Sequence, residues 1–123
     1  MAERIPPELQ QQLTKLQQLQ AQLNQIVNEK LVIEQELREI NRALSILKDL
    51  PEDCEVYRVA GHLFIRISKA DAEKELNERK EILEIRLKSL DQQESLIRKH
   101  LSEVQAKVNE YLSSMYRQRT AGS

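Results

Sequence analysis

The sequence predicts a helix-dominated fold with one β-hairpin, in which a long antiparallel two-helix coiled coil is joined by that hairpin. Three observations lead there. Two stretches, one on each side of the middle, repeat apolar residues in alternating steps of three and four, the period of a coiled-coil seam. Between them, Cys54–Ile67 alone is rich in Val, Tyr, Phe and Ile and carries an internal glycine, Gly61, as a pair of strands with a turn would. The whole chain of 123 residues is 32% charged, 40% hydrophobic and only 3% aromatic, with two Gly and three Pro. That leaves too few bulky side chains and turn formers for a compact, loop-rich globule.

By length the chain is one domain, 1–123. Its first helix is predicted over about 7–50. Pro6-Pro7-Glu8 suits a helix start, where a missing N–H costs nothing and a carboxylate meets the positive end of the dipole. The seam then runs Leu9, Gln12, Leu16, Leu19, Leu23, Ile26, Lys30, Ile33, Leu37, Ile40, Leu44 and Leu47. Pro51 drives Leu50 out of the α region and stops it. At about 1.5 Å per residue this helix is roughly 60 Å long. Between Leu9 and Asn28 the only charge is Lys15, and glutamine fills the polar face (Gln10, Gln11, Gln17, Gln18, Gln20, Gln22, Gln25). Glutamine is a good helix former on a solvated face.

The hairpin is predicted over about 54–67, with a short turn at Ala60-Gly61 or at Gly61-His62. The first register sets Tyr57 opposite Phe64 and Glu55 opposite Arg66. In either, Val56, Arg58, Leu63, Ile65 and Ile67 share one face, and Tyr57, Val59, His62, Phe64 and Arg66 share the other. Large apolar groups thus lie on both faces: Val56, Tyr57, Val59, Leu63, Phe64, Ile65 and Ile67. A lone two-stranded hairpin is marginal in water, and its open edges invite further strands. The hairpin is therefore expected to join others in a sheet or barrel shared between chains.

The second helix is predicted over about 69–117, followed by a flexible tail, 118–123, ending in Ala121-Gly122-Ser123. Ser68-Lys-Ala-Asp71 has the form of a capping box. The seam runs Leu76, Lys80, Leu83, Leu87, Leu90, Glu94, Ile97, Leu101, Val104, Val108, Tyr111 and Met115. Glu75–Arg79, Glu84–Lys88, Glu94–Arg98 and Glu103–Lys107 stand at the favourable i, i+4 spacing. Setting Leu47 opposite Leu76 makes facing residues sum to 123 or 124. That register pairs Ile40 with Leu83, Leu37 with Leu87, Ile33 with Leu90 and Leu9 with Met115. It also sets Lys30 against Glu94, a polar pair expected to fix register. Ile5, Leu13, Leu112 and Tyr116 lie off the seam near the free ends and, with Leu9 and Met115, form an apolar, nearly uncharged tip. Such a patch usually marks a binding surface.

Several functions are excluded. A net charge of −1 supplies no field for nucleic acid or an anionic membrane. No run approaches a transmembrane span, and the first residues lack a signal-peptide core. Cys54 is alone, which suits a reducing compartment, so a cytoplasmic location is expected. His62 and His100 are far apart with no ligand-spaced partner, and no glycine loop cradles phosphate. No enzyme activity, metal or cofactor is expected.

Leu50–Ser68 and Lys74–Glu94 resemble a prefoldin β-class subunit of the archaeal type. The resemblance is specific in the hairpin (Val56, Tyr57, Arg58, Gly61, His62, Ile65) and in the helix after it (Leu83, Glu84, Arg86, Leu87, Leu90, Gln93, Glu94). It implies a hexamer of two α-class and four β-class subunits whose hairpins close a β-barrel body. It further implies an ATP-independent holdase whose coiled-coil tips bind unfolded client proteins and pass them to a group II chaperonin. The client-binding role then falls on Ile5, Leu9, Leu13, Leu112, Met115 and Tyr116. The reading from a different class is a structural coiled-coil scaffold or adaptor with a defined protein partner.

Overall fold

The structure, a computed structural model, describes residues 5–121, with side chains described through Arg119. The elements are α1 (Pro7–Lys48), β1 (Val56–Ala60), β2 (Leu63–Ile67) and α2 (Lys69–Ala121). Their boundaries follow from local chemistry. The Gln10 N–H donates to the Pro6 carbonyl at 3.0 Å as α1 begins. Its end is tightened by i to i−3 bonds, Asp49 N–H to Ile46 O at 3.2 Å and Leu50 N–H to Leu47 O at 3.1 Å, ahead of Pro51. Ser68 caps α2, its Oγ accepting the Asp71 N–H at 3.0 Å. The tail expected over 118–123 is helical as far as Ala121, because Gln118 to Ala121 contains neither Gly nor Pro. Gly122 and Ser123 lie outside the described residues.

The chain divides into two compact units, and both helices contribute to each. One is Glu29–Leu90, which holds the hairpin; the other combines the described parts of Met1–Asn28 and Asp91–Ser123. Each buries its own stretch of seam.

In the hairpin unit the buried residues include Ile33, Ile40 and Leu47 of α1 and Ala72, Leu83 and Leu90 of α2, with Leu90 only 1% exposed. Two ion pairs cross between the helices beside this seam. Arg79 grips Glu36 with two N–H donors at 3.0 and 3.2 Å, and Arg86 grips Glu29 at 2.9 and 2.7 Å. The Glu36 carboxylate, first by hydrogen bond and then by charge, holds the Arg79 guanidinium still more firmly protonated. All four side chains are well exposed, so these pairs favour register more than stability.

They also correct the predicted register. With facing residues summing to 123 or 124, Arg79 would lie eight or nine residues from the level of Glu36. That is about 13 Å along the axis, added to the roughly 8–10 Å between helix axes. Glutamate and arginine side chains cannot bridge it. The expected pairing of Ile40 with Leu83, Leu37 with Leu87 and Ile33 with Leu90 is therefore displaced by at least one seam step. The cause lies at the start of α2. Its packed face opens not at Leu76 but at Lys69 and Ala72, which are 7% and 5% exposed.

Lys69 was not legible as a core residue. Its Nζ donates to the Leu50 carbonyl at 2.8 Å and lies 3.5 Å from Glu52 and 3.8 Å from Glu73. The ammonium thus satisfies a carbonyl just past the end of α1, where helical partners run out, and its own burial is compensated by charge. The available signal was position: Lys69 falls seven residues before Leu76 in the seam.

In the terminal unit Leu9, Leu19, Val104 and Val108 form the buried centre. Leu13, Leu16, Ile97, Leu101, Tyr111 and Met115 pack around it. Arg98 donates to the Glu94 carboxylate at 2.8 Å along α2. Lys30 belongs to the hairpin unit and Glu94 to the terminal unit, and each is half-buried where it stands.

Candidate interaction surfaces

Two regions hold the residues that the sequence singles out, the hairpin and the helix ends. In the hairpin β1 and β2 are antiparallel, pairing Val56 with Ile67, Tyr57 with Arg66, Arg58 with Ile65, Val59 with Phe64 and Ala60 with Leu63. The turn is therefore Gly61-His62, and Tyr57 faces Arg66 rather than Phe64. The backbone decides between the two candidate turns. Gly61 has φ +59° and no other described residue has positive φ. A two-residue hairpin turn needs positive φ at its first central position. A turn at Ala60-Gly61 would place that strain on alanine. Gly61→Ala is accordingly expected to destabilise the hairpin by about 1–2 kcal/mol, although a Cβ there would meet nothing within 4 Å. Denaturant unfolding of the variant checks this, and an unchanged midpoint would place the strain elsewhere.

The rest of the hairpin's bonding orients it. Arg58 of β1 donates to Glu75 of α2 at 2.7 Å, which draws Glu75 away from its expected partner Arg79. The Tyr57 hydroxyl donates to Glu55 at 3.1 Å, and Arg66 stands 3.7 Å from the same carboxylate. Under the hairpin an apolar groove is lined by Ile46, Leu47, Val56, Ile67, Ala72 and Leu76. Only Val56 and Ile67 of the hairpin's apolar residues are sheltered. Tyr57, Val59, Leu63, Phe64 and Ile65 are exposed, Phe64 to 73%. One sheet of two strands thus presents aromatic and branched side chains to solvent on both faces, and its outer edges have no strand partner among the described residues.

At the helix ends the six predicted tip residues separate. Ile5, Leu112 and Tyr116 are exposed, Tyr116 to 70%. Leu9 is 3% exposed, and Leu13 and Met115 are partly buried against its cluster. Leu9 is therefore a core residue of the terminal unit, because the facing helix supplies Val104 and Val108 to cover it. Leu31 and Val32 of α1 and Ile82 and Ile85 of α2 are exposed on the hairpin unit. Among the described residues no helix is long and apolar enough to cross a membrane.

The comparisons with known proteins agree with this architecture. The family model for prefoldin subunits matches residues 10–115. The chain is 50% identical over 123 residues to a prefoldin subunit beta of Sulfolobus acidocaldarius, covering 100% of this chain and 98% of that one. It is 52% identical over 118 residues to a prefoldin subunit beta of Sulfurisphaera tokodaii, covering 96% and 94%. Among solved structures, the prefoldin beta subunit of Thermococcus strain KS-1 superposes with a TM-score of 0.79 at 36% identity, covering 89% of this chain and 96% of that one. Two long helices, a single hairpin between them and relatives matched over nearly their whole length agree: the chain belongs to the prefoldin family of chaperone subunits, on its β-class side.

Proposed function

We propose that this chain is one subunit of an ATP-independent holdase, assembled through its hairpin with a prefoldin α-class subunit and further β-class copies. The assembly binds unfolded client proteins at the helix ends and transfers them to a group II chaperonin in the cytoplasm. The observation that carries the client-binding reading is the exposure of Ile5, Leu112 and Tyr116 in the unit whose first helix holds one charge, Lys15, between Leu9 and Asn28. Exposed apolar side chains suit non-native chains, whose common feature is exposed apolar surface. Each contact is weak, and several copies around one client supply the affinity by multivalency. Buried Leu9 and partly buried Leu13 and Met115 add to that surface where the helix ends fray.

Truncation tests this. Removing residues 1–16 and 108–123 from the chain, assembled with its α-class partner, is expected to abolish protection of a denatured client against aggregation. Assembly itself is expected to persist. Equal protection by the truncated assembly would place client binding elsewhere.

A further inference from the structure

The glutamine-rich part of α1 has no part in the assembly described above, yet the terminal unit arranges some of it. Gln17 and Gln20 of α1, with Ser102 and Gln105 of α2, wall a shallow groove of about 420 Å³ floored by Leu16 and Leu101. None of the six residues is charged. Gln20 Nε2 donates to Asn24 Oδ1 at 3.1 Å, and Gln105 Nε2 donates to Asn109 Oδ1 at 3.0 Å. The same device thus appears on both helices, an amide held by an asparagine one turn further along. Glu29 and Arg86 cross between the helices; these glutamines do not. Each of these bonds uses one N–H, and the carbonyl oxygen and second N–H of Gln20 and Gln105 have no partner among the described residues.

An apolar floor with walls that both donate and accept suits one class of ligand. A peptide backbone in extended form is neutral and presents N–H and C=O groups at every residue, whatever its side chains are. Charged walls would select clients by sign, whereas amides do not. We propose that this groove takes an extended segment of non-native polypeptide, bonding its backbone through Gln17, Gln20 and Gln105 while leucine lies beneath. The proposal rests on the client-binding reading above and extends it from the helix ends along the same unit. It gives the glutamines a role that helix propensity alone does not.

The test uses the assembled complex and two unrelated denatured clients, one acidic and one basic. One variant carries Gln17→Ala, Gln20→Ala and Gln105→Ala. A control removes as many amides outside the groove, by Gln18→Ala, Gln22→Ala and Gln25→Ala. Alanine is the best helix former, so both are expected to keep their helical circular dichroism. Losing the groove amides is expected to raise the concentration of complex needed for half-protection roughly fivefold for both clients, with the control unchanged. Unchanged protection by the groove variant would overturn the proposal, as would an equal loss in the control or a loss for one client only. So would a variant whose only defect is reduced self-association, which would make the occupant a second copy of this chain. If the unsubstituted complex protects neither client, the client-binding reading itself fails, and the groove proposal falls with it.

Discussion

Val59→Lys combined with Phe64→Glu is expected to leave this chain folded and unable to assemble. The two residues face each other across the strands, so the substitution exchanges an apolar cross-strand pair for an ion pair of roughly 0.2–1 kcal/mol. Within one hairpin that is close to neutral. In a sheet shared between chains it is not, because each charge removed from water costs several kcal/mol. Every tenfold loss of affinity is about 1.4 kcal/mol, so association is expected to weaken at least roughly 100-fold. Sedimentation should then report a single chain whose helical circular dichroism is unchanged. Undiminished assembly would mean that this face of the hairpin stays in water.

Gln12→Leu is expected to have the opposite sign and to stabilise the chain. Gln12 occupies a seam position in α1, and its Oε1 is buried with no hydrogen-bond partner among the described residues. Tyr111, Lys107 and Glu110 line the same recess, but none completes the bond. An orphaned buried acceptor costs about 1–3 kcal/mol, and leucine removes that penalty while keeping a large side chain in the seam. Denaturant unfolding should show a gain of that order. Amide exchange near Leu9, Leu13, Tyr111 and Met115 should slow with it, since opening these helix ends would no longer rehydrate a trapped amide. A gain below a few tenths of a kcal/mol would mean that a water already satisfies Gln12.

What was legible in the sequence divides by range. The two helices, the Ser68 cap, the stop before Pro51 and the hairpin all rest on signals within a few residues of one another: period, capping chemistry, and proline or glycine. Those signals are strong because they act on the local backbone. The hairpin register was open between two turns, since strand patterning fits both equally, and only the positive φ of Gly61 separates them. The register between helices was missed by at least one seam step. Lys69 and Ala72 do not look like core residues, one being charged and the other small, yet both pack. Arg79 was matched in sequence to Glu75 four residues before it. The folded chain turns it instead to Glu36, a partner that no local rule names. The same limit applies at the helix ends, where apolar residues that look alike in sequence divide into covered Leu9 and exposed Tyr116. Cover comes from the facing helix.

Assembly through the hairpin is proposed because its apolar side chains are exposed on both faces of an isolated sheet. Native mass spectrometry of the unsubstituted chain, alone and mixed with a prefoldin α-class subunit, tests it most directly. The mixture is expected to give one hetero-oligomer of defined composition containing several copies of this chain. A stable monomer that persists at micromolar concentration with the α-class subunit present would contradict it.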